Sequence, residues 1–146
     1  MVDSVENNAG QTYDGDATRS RGRGGGLPLS SVLAVDVGGT KLAAAVVDGE
    51  GALLADARVS TPATSDGEEL FRALEQLCRD VLRAAGTPVA AIGVGCGGPM
   101  RYPEGVVSPL NIPAWHAAPF PLRQRLAAAF DLPCDVDNDA KAMAHG

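Results

Sequence analysis

Aromatic side chains make up only 4% of this 146-residue chain, so its interior must be filled by Ala, Val and Leu rather than by rings. Cysteine is sparse too, at Cys78, Cys96 and Cys134. The three are far apart, odd in number and include no C-x-x-C pair, which argues against a disulfide framework and a local zinc site. They read as small buried hydrophobes, with Cys96 set apart by its glycine-rich surroundings. No apolar run reaches the roughly 18 residues that a bilayer-crossing helix needs. Basic residues are in deficit: the formal net charge is -6, and no basic patch offsets it. That argues against nucleic-acid or membrane-surface partners. The opening MVDSVENNAG lacks the basic and apolar regions of a signal peptide, so a cytoplasmic chain is expected. Hydrophobic residues reach 45%, the share of a folded globular protein, and the length suits one compact domain rather than two.

Residues 1–30 are rich in Asn, Asp, Ser, Gly and Arg and show no periodicity, so they are expected to form a disordered extension. Arg19, Arg21 and Arg23 offer cations to an anionic partner, although a solvated tail is the preferred account of them. Order is expected from Ser31. SVLAVDV reads as a buried strand, GGT as a tight turn, KLAAAVVD as a second strand and ALLADARVS as a third. Ser65 and Glu68 have capping-box spacing, and Gly86 stands where a helix ends. Between them Leu70, Phe71, Leu74, Leu77, Cys78, Val81 and Leu82 trace one apolar helix face. PVAAIGVG is a fourth strand. The stretch from Cys96 to Pro119 reads as a long irregular loop, a feature that usually carries function. Leu122, Leu126, Ala129 and Phe130 mark a second helix, LPCDVD a fifth strand, and NDAKAMAHG the start of a third helix. The predicted order β-β-β-α-β-α-β-α implies an α/β fold with a mixed five-stranded sheet and helices on its faces, the layout of a ribonuclease H-like, or actin-like, ATPase subdomain.

Four segments hold chemistry-bearing residues. In DVGGTK, Asp36 ends a buried strand and is followed by Gly38, Gly39, Thr40 and Lys41. Glycines admit a phosphate to close range, and successive N–H groups in such a turn form an anion nest. Asp36 can hold a hydrated Mg²⁺ nearby. A plain hairpin with a capping Asp explains the same residues. No Walker A loop or Rossmann fingerprint is present. In DVDNDAKA, Asp139 stands at a strand-to-helix junction, where a carboxylate can take a proton from an attacking hydroxyl and Asn138 can bind the same substrate. A helix N-cap accounts for the same residues without any chemistry and is the favoured reading on local grounds alone. Gly97 and Gly98 permit a close backbone approach, Asn111 suits a vicinal diol, and Trp115 can either stack on a sugar or anchor a core. His116 and His145 have no partner at catalytic or metal spacing.

Taken in order, DVGGTK, GVGCGGPM, SPLNIPAW and DVDNDAKA resemble the amino-terminal half of the ROK family of repressors, open reading frames and sugar kinases. The resemblance runs from about Ser31 to Gly146. It implies that Asp36, Gly38, Gly39, Thr40 and Lys41 bind the phosphates of ATP. It implies that Gly97, Gly98, Asn111 and Asn138 bind a hexose, and that Asp139 binds it too and serves as general base. The implied activity is ATP-dependent phosphorylation of a hexose, glucose first among the candidates, with Mg²⁺ held through water by Asp36 and no direct protein ligand to a metal.

Three departures from the family pattern stand out. Asp137 takes the place of a Glu, Lys141 takes the place of an Asn, and Cys96-Gly97-Gly98-Pro99 replaces the usual proline-glycine-proline. The resemblance also implies a second domain carrying a Glu/His pair, the adenine pocket and a cysteine-rich zinc site. None of those residues occurs in these 146, so the chain is expected to hold half of a site, and the family's homodimer is expected only where the second domain is present. Two other readings remain open at this stage: an inactive fragment, and a sugar-sensing regulator. The second is disfavoured because residues 1–30 are too short and Gly-rich for a helix-turn-helix.

Overall fold

The computed structural model of the chain describes residues 4–6 and 30–138. Its centre is a sheet built from β2 (Val32–Val37), β3 (Lys41–Val47), β4 (Leu53–Ser60), β5 (Ala91–Cys96) and β9 (Cys134–Asp137). β2, β3 and β4 form an antiparallel meander, while β5 lies parallel to β2 and β9 parallel to β5. Short turns suffice for the meander, whereas each parallel step needs a crossover, and helices supply it. These five strands match the sheet read from the sequence.

A sixth strand was not foreseen. β1 (Ser4–Glu6) pairs antiparallel with β4 at the sheet edge, giving the order β1-β4-β3-β2-β5-β9. Ser4–Glu6 therefore departs from the structureless extension expected over residues 1–30. The pairing is made by backbone groups, which leave no side-chain period in three residues.

Helix α1 (Gly67–Ala85) starts on Asp66, whose side chain accepts a hydrogen bond from the Glu68 N–H at 2.9 Å. Asp66 and not Ser65 is thus the cap, because its carboxylate reaches the second N–H of the first turn. At the other end Gly86 adopts φ 68° and its N–H closes on the Leu82 carbonyl, as expected of a glycine terminator. Leu70, Phe71, Leu74, Leu77, Cys78 and Val81 are buried. The sheet supplies the opposing layer through alternate residues, chiefly Leu42, Ala44 and Val46 of β3 and Ala55, Ala57 and Val59 of β4. α3 (Leu122–Phe130) adds Leu122 and Leu126 to the same core. Apart from Leu54, which sits at the register shift between β3 and β4, the buried strand side chains fall on one face, and among the described residues both long helices pack there. The other face presents small residues such as Ala34, Ala45 and Gly93, which remain half-buried.

The stretch from Cys96 to Pro119 is not one irregular loop. It holds β6 (Met100–Arg101), β7 (Val106–Val107) and the short helix α2 (Pro113–Ala117), and β8 (Phe120–Pro121) completes a three-stranded sheet with β6 and β7. Strands of two residues are too short to show alternation. The third helix of the sequence reading lies outside the described residues.

Candidate active site

Because β2, β5 and β9 are parallel, their carboxyl ends share one edge of the sheet. Asp36 pairs in register with Gly95, and Gly95 with Asp137. The two carboxylates therefore stand in one row, about 10 Å apart by strand spacing, with a bare glycine backbone between them. Asp36 is exposed and Asp137 half-buried. Side chains in one row leave the same face, so both acids project from the side opposite the core.

The turn after β2 is closed by the Gly38 N–H donating to the Lys41 carbonyl at 3.0 Å. Thr61, just past β4, braces it from outside. Its hydroxyl donates to the Gly38 carbonyl at 2.7 Å, and its N–H donates to the Thr40 carbonyl at 2.8 Å. The Thr40 and Lys41 side chains are exposed. Thr61 was missed in the sequence because nothing local marks it: it reaches the turn only through the β3–β4 pairing.

The loop before α2 brings Asn111 onto this turn. A methyl placed on Gly39 would lie 2.8 Å from the Asn111 carbonyl oxygen and 3.0 Å from its Nδ2. On Gly97 it would lie 3.9 Å from Asn111 Oδ1, and on Gly98 it would lie 3.4 Å from Asn138 Nδ2. Two side-chain amides are thus set against glycine backbone at three places. The four segments singled out in the sequence meet at one edge, although they span positions 36 to 138. Asp139 lies outside the described residues.

Trp115 does not belong to this edge. Its ring is fully buried, stacks on Phe120 with centroids 4.7 Å apart, and donates through Nε1 to the Gly67 carbonyl at 3.2 Å. Of its two readings, core anchor is the one observed. His116 is exposed and its Nδ1 lies 3.0 Å from the Ser108 carbonyl. Cys96 is the buried last residue of β5, not part of a loop, and its thiol is pushed up to about 12, chiefly by burial and secondarily by the charge of Asp36. That makes it a poor nucleophile. Tyr102, which the sequence reading passed over, reaches the end of β9: its hydroxyl contacts Asp137 and the Asn138 backbone. Among the described residues no cluster of His, Cys, Asp and Glu is placed to hold a metal ion directly, and no helix is long and apolar enough to cross a membrane.

A glycine-lined turn, a row with two carboxylates and two inward amides can bind an anion and a polyol side by side. Known proteins resemble this chain in sequence and fold. A glucokinase of Streptomyces coelicolor is 34% identical over 118 residues, covering 81% of this chain and 35% of that protein. An N-acetylmannosamine kinase of Yersinia pseudotuberculosis is 36% identical over 113 residues, covering 77% of this chain and 37% of that protein. The solved structure of a ROK family glucokinase from Streptomyces griseus, in complex with glucose and AMPPNP, superposes with a TM-score of 0.66 at 34% identity, covering 78% of this chain and 35% of that one. The chain therefore spans about a third of the length of the relatives it matches. The pattern of the ROK family itself matches residues 32–146, and by that match this chain belongs to the ROK family.

Proposed function

We propose that this chain carries the phosphate-binding and sugar-binding edge of an ATP-dependent hexose kinase, with glucose as the preferred acceptor. The observation that carries the reading is the seat of Asn111, whose side chain lies between the phosphate turn at Gly39 and the sugar loop at Gly97. A phosphoryl donor on the turn and a hydroxyl acceptor at the amide would be neighbours.

The division of labour follows from the residue types. Gly38 and Gly39 let the backbone approach the phosphates, and Thr40 and Lys41 add a hydroxyl and a cation at the rim. The exposed carboxylate of Asp36, two residues before the turn, fits a hydrated Mg²⁺, which when bound neutralises phosphate charge. Gly97, Gly98, Asn111 and Asn138 hold the sugar hydroxyls. Asp139 follows Asn138 in sequence and accepts the proton of the hexose 6-hydroxyl. As that oxygen bonds to the γ-phosphorus, the bond to the bridging oxygen breaks and its electron pair leaves with ADP, yielding glucose 6-phosphate. Such transfer depends on positioning and charge more than on covalent help from the protein. Closure by the rest of the site excludes water and sets the full rate.

The test is ADP release from Mg-ATP with a panel of hexoses, including glucose and N-acetylmannosamine, with Asp139→Asn alongside. Slow glucose-dependent release, far below a complete kinase's rate, that vanishes in the variant is the expected result. Release that survives the substitution would remove Asp139 from the role of base. An absence of sugar dependence with every hexose would remove the activity from this chain.

A further inference from the structure

Tyr102 lies in the turn between β6 and β7 and is 54% exposed as a residue, yet its hydroxyl is engaged on both sides. The hydroxyl donates to Asp137 Oδ1 at 3.2 Å and accepts from the backbone N–H of Asn138 at 3.1 Å. Both partners are more than thirty residues away in sequence, on the last residue of β9 and the one after it. A residue left half in water gains little from burial, so the position is used for its oxygen. One phenol oxygen can donate once and accept at the same time, and here it does both. Asn138 in turn rests its amide against Gly98, only four residues before Tyr102. The strand end and the loop it touches are therefore joined twice, once through Gly98 and once through the phenol.

We propose that Tyr102 is a positioning residue of the sugar site, a latch that fixes the end of β9 against the β6–β7 turn and sets where Asn138 presents its amide. The inference rests on the reading of Asn138 as a sugar ligand. Removing the phenol oxygen should leave the fold intact, since the ring keeps its place, while the strand end gains freedom that a ligand must then remove.

The experiment is an amide NMR titration of the 146-residue chain with glucose and, separately, with N-acetylmannosamine, comparing the parent with Tyr102→Phe. Loss of the phenol acceptor should speed exchange of the Asn138 amide about tenfold and weaken sugar binding about three- to tenfold. The Val94 and Leu74 amides should exchange as before, which verifies the fold of the variant. Equal sugar affinity in parent and variant overturns the latch even if the Asn138 amide exchanges faster. A parent chain whose spectrum responds to neither sugar overturns the sugar-site reading itself, and the positioning role falls with it.

Discussion

Asn111 occupies the space in front of Gly39 that a β-carbon would need, its carbonyl oxygen 2.8 Å and its Nδ2 3.0 Å from where that carbon would stand. Glycine at this position therefore reflects contact between two segments and not only turn geometry. The neighbour is partly backbone, so it cannot swing aside as a flexible side chain would.

Gly39→Ala should force the two loops apart. The expected loss is about 1–3 kcal/mol, the range for one methyl pressed into a filled space, read from urea denaturation. Unchanged stability would mean that the Asn111 loop moves without resistance and that the contact joins nothing.

The burial of Trp115 leads to a prediction that separates its two sequence readings. Trp115→Ala should destabilise by about 3–5 kcal/mol, as other large-to-small core changes do. Trp115→Phe should keep the apolar contact with Phe120 and lose the hydrogen bond to Gly67, with sugar-induced NMR shifts unaltered. Loss of those shifts in a folded Phe variant would return Trp115 to the sugar site.

The start of α1 is tied to α3 by Arg125, whose two terminal nitrogens donate to the Glu68 carboxylate at 2.7 Å each. The guanidinium also stands over the Phe71 ring at 4.7 Å. Hydrogen bonding from Arg125 holds the Glu68 carboxyl below its ordinary value of 4.5. With the folded value depressed, the contribution is complete above the unfolded value and disappears as pH falls through the folded one. The thermal midpoint should therefore fall on acidification below about pH 4.5, and Glu68→Gln should flatten that part of the curve. An identical pH profile in the variant would show that the pair contributes nothing. The pair is exposed, so any effect should shrink in high salt.

Cys78, Cys96 and Cys134 are all free and buried. Burial pushes each thiol up to about 12, which leaves almost no thiolate at neutral pH. An aromatic disulfide reagent at pH 8 should label none of them in the native protein and all three in urea. Labelling of one thiol before unfolding would identify a mobile part of the core, with Cys96 at the carboxyl edge the residue to watch.

Elements whose side chains repeat were legible before any coordinates. The Val- and Leu-rich apolar run of β2, the alternation of β9 and the three- and four-residue spacing of α1 report burial directly. So did Gly86, because a left-handed residue leaves few choices. What escaped was made by backbone or across distance. β1, β6, β7 and β8 have two or three residues each, too few for a period. Asp66 outcompeted Ser65 at the cap by one position, a choice set by the local path of the chain. The site glycines and asparagines were recognisable from their motifs, but Thr61 and Tyr102 were not. Each acts on a turn or strand end that becomes its neighbour only after the sheet is paired.

The two parallel pairings, β2 with β5 and β5 with β9, have a consequence for how this edge comes into being. Each requires the chain to travel through a crossover before any ladder bond can form, so loop-closure entropy is spent before contact energy is returned. The turn at Gly38 can close within a hairpin, but Asn138 reaches its place only after both crossovers are complete. The carboxyl edge of the sheet is thus among the last features to assemble. A ligand that needs all of it stabilises the finished sheet alone, by mass action on the final state.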